Sequence, residues 1–377
     1  MNFAFTGEQE ELRAAARAFL AEASSSERVR AAMASEIGYD AEIWKRIGRE
    51  LGWPAAIVPE ECGGLGLGMV ELVALLEAMG EALLCAPFFA TVCLAAQAVL
   101  AAGTDEQRRR WLAPIAEGEA RAALATAEPG LPHDAVALEA RREGDAYRLD
   151  GVKRYAIDGA SADWLVVSAR TPGSRGGDGV TLFVVPDDAA GLTRIALPTM
   201  DQTRRQAELR FAGVYVPAEA RLGDEGAGAE PLRRALDLGA IALAAESVGG
   251  AQRCLDLSVA YAKQREQFGR PIGSFQAIKH KCADMMVRVE TARSAAYYAA
   301  CAAAEEAADL RVAASLAKAY CSEAYYHCAA ETIQIFGGVG FTWEYDPHLY
   351  FKRARASEAL LGTPAWHRER VARAIGL

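Results

Sequence analysis

The chain has 377 residues, of which 52% are hydrophobic, and this length exceeds the usual size of one compact domain, so we expect two or three domains. The formal net charge of −9 and the absence of a basic segment argue against a nucleic-acid partner. No apolar run is long enough to span a membrane, the first residues lack a signal-peptide pattern and the histidines lack metal-ligand spacing, so we expect a cytoplasmic protein without a metal.

Helical spacing of apolar residues dominates the first third of the chain. Thr6 and Gln9 form a capping-box pair, and Asp40 is placed to cap a second helix. Further segments with helical spacing are 69–84, 87–102 and the one opened by a capping box at 104–107. The pattern predicts an all-helical domain over residues 1–121.

After residue 121, the spacing of apolar residues changes from the helical period to alternation along the chain. The alternating segments are 123–127, 135–141, 147–149, 164–169, 180–185 and 206–216. Glycine-rich turns such as 173–179 separate them, which favours an antiparallel sheet or small barrel over a parallel sheet. We predict an α+β protein with a middle β domain over 122–222, a glycine-rich hinge at 221–230 and a helical domain over 231–377.

The stretch 261–285, YAKQREQFGRPIGSFQAIKHKCADM, reads as a helix, a turn and a second helix. Gly269 and Pro271 prevent the first helix from continuing. Ser274 is placed to cap the second helix, which we expect to enter at Phe275.

Three side chains at this turn suit an adenine dinucleotide. Arg265 carries a rigid fork of donors for a pyrophosphate, Phe268 offers a flat face to a purine, and Gln276 has an amide for ribose or phosphate. The alternative is a helical hairpin whose arginine pairs with an acid.

A second glycine-rich stretch lies in 331–355, ETIQIFGGVGFTWEYDPHLYFKRAR, where a helix runs through Gln334 and ends at Gly337 and Gly338. Such glycines normally cap a helix, and they also let the backbone approach a phosphate. REQFGRPIGSFQAIKHKCADM together with QIFGGVGF closely resembles the acyl-CoA dehydrogenase family, and the resemblance covers essentially the whole chain. It implies an N-terminal helical domain, a middle β domain and a C-terminal four-helix bundle.

The resemblance implies an FAD flavoprotein that desaturates an acyl-CoA thioester between its α and β carbons, with a carboxylate as the base. The Tyr-Glu-Gly-Thr element of the family falls on residues 360–363, so Leu361 stands at the glutamate position and Thr363 is retained. In the family branch that places its base on an earlier helix, the matching position is Gly239. Neither residue can take a proton.

The segments that hold the flavin ring in the family also differ here. The family's T-E-P-G-A-G-S-D segment reads AEPGLPHD at 127–134, and its W-I-T segment reads YAI at 155–157. Ala127 and Ile157 therefore lack the hydroxyls that reach the ring. Each missing hydrogen bond weakens binding by about 1 kcal/mol or more.

In this family FAD lies at a dimer interface, and the neighbouring subunit holds its ADP half. The residues that this chain keeps for that contact are Arg265, Phe268, Gln276, Gln334, Gly337 and Gly338. The resemblance therefore extends to the non-catalytic partner of heteromeric bacterial acyl-CoA dehydrogenases, including those of steroid side-chain breakdown. It implies a tetramer built from dimers, with FAD shared between this chain and a second dehydrogenase subunit.

Two alternatives remain. In a self-sufficient homotetramer, the base would be displaced to Glu246, Asp237 or Glu358, although Glu246 would equally suit a pair with an arginine and the other two are expected to be solvated. In a flavin-free scaffold on the same fold, Thr363 and Pro364 would serve only as a helix cap and the first helical residue.

Overall fold

The computed structural model describes residues 6–132 and 135–377, and its residues group into two compact units. The helical unit comprises the chain up to Met33, Gly68–Cys85 and Ala240–Leu377. The mixed unit comprises Ala34–Leu67 and Ala86–Gly239. Within the described ranges, no helix has both the length and the hydropathy needed to cross a bilayer. The domain limits inferred from the sequence stay predictions.

Eleven α-helices lie in the described residues. In chain order they are α1 (Gly7–Ala23), α2 (Ser26–Ala34), α3 (Ala41–Lys45), α4 (Met69–Glu81), α5 (Gln97–Ala102), α6 (Asp105–Ala116), α7 (Ala229–Gln264), α8 (Gln276–Ala304), α9 (Leu310–Phe336), α10 (Pro347–Ala359) and α11 (Pro364–Ala374). Two π-helical segments, Arg46–Glu50 and Phe89–Ala96, continue α3 and precede α5. The sequence reasoning missed α2, which is only nine residues long.

Three predicted helix starts in the first third of the chain are present where their capping residues were found. The Thr6 hydroxyl accepts from the Gln9 amide at 3.3 Å, and the Gln9 side chain accepts from the Thr6 amide at 3.0 Å. The Asp40 carboxylate accepts from the backbone of Glu42 at 2.9 Å. The expected box at 104–107 likewise opens α6. These starts are set by contacts between residues a few positions apart, so the sequence alone predicts them.

Glycines let the backbones of α4 and α7 approach closely inside the helical unit. A Cβ on Gly80 would lie 2.0 Å from the carbonyl oxygen of Glu246, and a Cβ on Gly249 would lie 1.9 Å from the carbonyl oxygen of Glu77. Any larger residue would force these helices apart. The close contact explains why small residues interrupt the middle of a long helix that would otherwise favour alanine or leucine.

A buried carboxylate joins three helices of the same unit. Glu77 on α4 is 2% exposed and lies 3.4 Å from the Arg17 guanidinium of α1 and 3.1 Å from the Arg293 guanidinium of α8. Because an unpaired buried charge is costly, these arginines stabilise the packing of the three helices.

The mixed unit is built around one eight-stranded sheet. Its strands are β1 (Ala122–Ala125), β2 (Glu139–Glu143), β3 (Ala146–Ile157), β4 (Trp164–Arg170), β5 (Val180–Pro186), β6 (Leu192–Ala196), β7 (Gln206–Pro217) and β8 (Arg221–Leu222). The order is β6-β7-β3-β2-β4-β5-β8, and β1 pairs with β4. Most neighbours are antiparallel, as expected, but β4 pairs in parallel with both β1 and β2.

Three sequence assignments in this unit need correction. The segment 135–141 becomes a strand only at Glu139, because the Glu128 carboxylate binds the amides of Ala137 and Leu138 at 2.9 and 3.0 Å and holds them in a loop. Strand β6 was missed because its alternation is weak at a half-exposed edge. The supposed hinge begins as strand β8, since Leu222 pairs with Leu182 of β5.

Candidate functional site

The turn between α7 and α8 is a small hairpin of the helical unit, made by β9 (Glu266–Gln267) and β10 (Arg270–Pro271). Its two turn residues, Phe268 and Gly269, are both left-handed, with φ of 55° and 74°. This conformation costs a non-glycine residue about 1 kcal/mol or more. The Phe268 ring is nevertheless 92% exposed and has an edge contact with Phe275 at 6.1 Å between centroids. A strained, exposed aromatic residue is typical of a contact surface.

The predicted cap of α8 is wrong. Residues Ile272–Ser274 form a short 3-10 turn, so the helix starts one residue later and Phe275 occupies the N-cap position without a side-chain hydrogen bond. The Ser274 hydroxyl oxygen is buried and has no hydrogen-bond partner among the described residues.

The glycine-rich stretch follows the end of α9 directly. Gly337 has φ of 66° and donates its amide to the carbonyls of Gln334 and Ile333, so it does cap the helix. A Cβ on Gly337 or on Gly338 would meet no atom within 4 Å. The backbone here is therefore open to an approaching group, and glycine at 338 is not required by packing within this chain.

The structure brings the two motifs together. The Tyr261 ring, one turn before Arg265, stacks on the Phe336 ring, which directly precedes Gly337, at 4.1 Å between centroids and 14° between planes. The ends of α7 and α9 therefore adjoin. We call the exposed predicted contacts on this side the nucleotide-facing set, and its members are Arg265, Phe268, Gln276, Gln334, Gly337 and Gly338.

The nucleotide-facing set fits the ADP half of FAD in its chemistry. An exposed guanidinium and two exposed amides supply donors for phosphate and ribose oxygens, and the open glycine backbone adds room for a phosphate. None of these side chains points into the interior of its own unit. The cofactor roles of the individual residues, Thr363 included, stay predictions.

The position expected for the base lies in a bend between α10 and α11. Leu361 is half-buried and left-handed, with φ of 57°. Its carbonyl oxygen bonds the His367 Nε2 atom at 3.0 Å, and the Thr363 hydroxyl accepts from the Trp366 amide at 3.3 Å. Thr363 is therefore a helix cap, whatever else it contacts. The other expected base position, Gly239, is buried in α7.

Glu246, the first candidate for a displaced base, is engaged by an arginine. Its Oε1 atom lies 2.5 Å from Arg353 Nη1, and the two side chains are 8% and 3% exposed. The Arg353 guanidinium therefore occupies the carboxylate that a displaced base would need to leave open to substrate. The geometry favours the structural role of Glu246.

The other two candidates are not solvated as expected. Asp237 is 3% exposed, because it lies on an inward-facing position of α7 rather than on the helix surface. The Glu358 side chain is 17% exposed and pairs with Arg355 one turn earlier on α10. Burial of these acids came from helix packing that the local sequence does not reveal.

The segment expected to hold the flavin ring lies in the mixed unit and keeps its internal framework. Lys153 is fully buried, and its ammonium donates to the Glu128 carboxylate at 2.5 Å, to the Thr126 carbonyl at 3.1 Å and to the Ser168 hydroxyl at 3.0 Å. Burial lowers the pKa of Lys153 to about 8, although the Glu128 carboxylate opposes this change. The pair anchors the loop that follows β1.

Hydrocarbon side chains stand at the two positions of this framework where the family has hydroxyl groups. Ala127 follows β1, and its carbonyl accepts from the Arg154 amide at 2.8 Å. Ile157 is 4% exposed and pairs with Gln206 of β7. Neither side chain has a donor for a ring oxygen or nitrogen, so these two positions do not fit the ring half of FAD. His133 and Asp134, the last residues of the segment, lie outside the described residues.

Sequence reasoning missed two buried lysines, Lys153 and Lys318. Lys318 on α9 is 0% exposed, and its ammonium donates to carbonyl oxygens of Gly362 at 3.2 Å and Glu358 at 3.4 Å. A signal was present, because Lys318 lies among Ala and Cys residues on the apolar stripe of its helix. Lys153 likewise lies at an inward position of β3.

Three family models match successive parts of the chain. The N-terminal domain model of acyl-CoA dehydrogenase matches residues 6–119, the middle domain model matches 123–214 and the C-terminal domain model matches 226–376. The chain is 37% identical to acyl-CoA dehydrogenase IpdE2 of Mycolicibacterium smegmatis over 357 residues, which is 95% of each protein.

Two solved structures have the same fold over the full length of this chain. The butyryl-CoA dehydrogenase of Megasphaera elsdenii superposes with a TM-score of 0.92 at 31% identity and covers 100% of both chains. The ChsE4–ChsE5 complex of Mycobacterium tuberculosis gives a TM-score of 0.90 at 28% identity, over 100% of this chain and 99% of the other.

Proposed function

The chain belongs to the acyl-CoA dehydrogenase family, whose members oxidise CH–CH bonds with FAD, and we propose that it serves there as a non-catalytic partner subunit. In this role it presents the nucleotide-facing set to FAD whose ring is held by a second dehydrogenase subunit. The assembly is a heterotetramer of two identical dimers, each of which pairs this chain with the second subunit.

One contrast carries the proposal. The exposed nucleotide-facing set keeps its guanidinium, amides and open glycines, whereas hydrocarbon stands at Leu361, Ala127 and Ile157. Desaturation of an acyl-CoA thioester requires FAD as the hydride acceptor and a carboxylate that takes the α proton. This chain can bind and orient the nucleotide half of the cofactor, and the partner supplies the ring contacts and the base.

The similarity to the ChsE4–ChsE5 complex supports a heteromeric assembly, because that relative is a complex of two named chains. The exposed, left-handed Phe268 supports an interface at this hairpin, since an apolar ring in water gains from burial against another molecule. A second copy of this chain would supply the same deficient ring segment, so we expect the partner to be a different subunit.

Two other functions are less well supported. A homotetramer with a displaced base is weakened because Glu246 is paired with Arg353 and Glu358 with Arg355. Asp237, buried in α7, is the candidate that remains for it. In a flavin-free scaffold, the exposed Arg265 and Phe268 would contact a protein, but the open backbone at Gly337 and Gly338 would have no phosphate to approach it.

Co-expression with the neighbouring dehydrogenase tests the proposal. The expected product is a complex with one FAD for each pair of unlike chains, and this chain expressed alone is expected to be colourless. A yellow homomer whose flavin is reduced by an acyl-CoA would support the displaced base instead. Failure to obtain either a complex or bound FAD would favour the scaffold.

Two arginines of the same hairpin provide a matched comparison within the complex. Arg265→Gln removes a charge-assisted contact of about 1.5–3 kcal/mol, so FAD should bind about 10- to 100-fold more weakly. Arg270→Gln is the control, because the Arg270 guanidinium packs over the Phe275 ring at 4.2 Å and is not in the nucleotide-facing set. Equal effects of both substitutions would contradict a specific role for Arg265.

A further inference from the structure

The two motifs of the nucleotide-facing set are carried by helix ends that contact each other directly. Arg265 follows the last turn of α7, and Gln334 and Gly337 lie at the end of α9. The Tyr261 carbonyl on α7 accepts from the Arg265 amide at 2.8 Å. On α9, Phe336 is followed at once by Gly337. A shift of either aromatic residue would therefore displace a predicted nucleotide contact.

The Tyr261 ring is stacked against a side chain that has little freedom. The Tyr261 and Phe336 rings lie 4.1 Å apart between centroids at 14° between planes, and Phe336 is 8% exposed. The Tyr345 ring makes an edge contact with Phe336 at 5.9 Å. A Cβ on Gly340 would lie 2.8 Å from the Phe336 Cβ atom, so the turn after α9 also packs against this residue. The Phe336 ring is held by these neighbours and offers Tyr261 a fixed surface.

A buried hydrogen bond one turn earlier joins the same two helices. The hydroxyl oxygens of Ser258 on α7 and Thr332 on α9 are 3.0 Å apart, and both residues are buried. The Thr332 hydroxyl also lies 3.0 Å from the Cys254 carbonyl oxygen of α7. Because hydrogen bonds weaken steeply with misalignment, this contact opposes sliding of one helix along the other. The ring stack extends the same restraint to the two helix ends.

We propose that Tyr261 is a positioning residue for FAD. By stacking on Phe336, its ring holds Arg265 at a fixed separation from the open glycine backbone after α9. The inference rests on the proposed function, in which both motifs contact the nucleotide half of one shared FAD. Contacts on two separate helices bind one ligand tightly when their spacing is set in advance, because less order has to be imposed on binding.

An ordinary packing role for the half-buried Tyr261 would have a different effect. Packing alone would stabilise the helical unit without changing the affinity of a ligand at its surface. A positioning role instead requires the flat ring itself, since stacking depends on two planar faces. The two roles therefore differ in FAD affinity and in the result of replacing tyrosine by phenylalanine.

The test uses the co-expressed complex with substitutions in this chain, and FAD affinity is measured by fluorescence titration after the flavin has been removed. Tyr261→Leu removes the ring and is expected to weaken FAD binding about tenfold, with the assembly intact. Tyr261→Phe keeps the ring and should bind FAD as tightly as the unsubstituted complex. Tyr326→Leu is the matched control, because the Tyr326 ring, earlier on α9, forms its own aromatic pair with Phe351 at 5.4 Å between centroids. We expect its FAD affinity to be unchanged.

Each outcome decides one question. If the unsubstituted complex lacks FAD, the proposed function has failed. If that complex holds FAD, the positioning role is overturned by unchanged affinity in an assembled Tyr261→Leu complex, or by an equal loss in Tyr261→Phe or Tyr326→Leu.

A second variant covers a failure of Tyr261→Leu to assemble. Phe336→Leu removes the other ring of the stack, so a tenfold loss of FAD affinity supports the inference and unchanged affinity overturns it. If neither variant assembles, the stack serves assembly rather than FAD, and the positioning role is likewise overturned.

Discussion

Replacement of Glu246 by glutamine separates a structural carboxylate from a displaced base. Glu246 and Arg353 are joined at 2.5 Å with side chains 8% and 3% exposed. Removal of one member of a buried pair costs about 3–5 kcal/mol, because the other charge loses its compensation. The glutamine oxygen can still accept a hydrogen bond of about 1 kcal/mol from Arg353. We therefore expect Glu246→Gln to lower the free energy of unfolding by about 2–4 kcal/mol.

Urea unfolding followed by far-ultraviolet circular dichroism measures this loss. Arg353→Met should destabilise the protein by a similar amount, whereas the double variant Glu246→Leu/Arg353→Met should recover most of it, because an apolar pair of similar volume often replaces a buried ion pair without loss. Stability reduced by less than about 1 kcal/mol in Glu246→Gln, together with abolished dehydrogenation, would refute this reasoning and identify Glu246 as a base.

Three further substitutions test other parts of the structure. Lys153→Met should lower the free energy of unfolding in urea by about 3 kcal/mol, because Glu128, 7% exposed, loses the ammonium at 2.5 Å and keeps only backbone donors for its charge. If adding Glu128→Gln to this variant restored no stability, the pairing would be contradicted. The pKa of His348 is lowered from 6.5 to about 4, chiefly by burial. As the pH falls below 6.5, the histidine takes up a proton in the unfolded chain before it does so in the folded protein. The folded state is therefore increasingly destabilised between pH 6.5 and 4. His348→Asn should remove on the order of 3 kcal/mol of that acid sensitivity, and identical pH profiles for both proteins would argue against it. Phe268→Gly removes the backbone strain of a phenylalanine in the left-handed conformation, so thermal unfolding of the isolated chain should show about 1 kcal/mol more stability. The complex should lose FAD. Unchanged FAD content would remove Phe268 from the nucleotide-facing set.

The fold could be predicted from short contiguous patterns, and the predicted nucleotide contacts come from the same kind of pattern. The capping residues Thr6 and Asp40 mark helix starts through contacts two or three positions away. Phe268 and Gly337 each lie in a short motif, and the other predicted nucleotide contacts of that motif are only a few positions away in the chain. The substitutions at Leu361 and Ala127 were equally visible, since the missing groups are properties of single residues.

Contacts between distant residues could not be predicted in this way. Glu246 binds Arg353, 107 positions away, and Lys153 binds Glu128, 25 positions away, so neither acid reveals its partner locally. The expectation that Asp237 is solvated was wrong for the same reason, because burial depends on which helix face meets a neighbour.

The sequence by itself therefore determined the family, and it also gave the predicted nucleotide contacts and the leucine at the predicted base position, since these depend on residue identity within local motifs. Only the tertiary structure decided that Glu246 is neutralised by an arginine and that Lys318 supports the bend next to Thr363. The reason is that charge compensation and burial are produced by packing between segments that are remote along the chain.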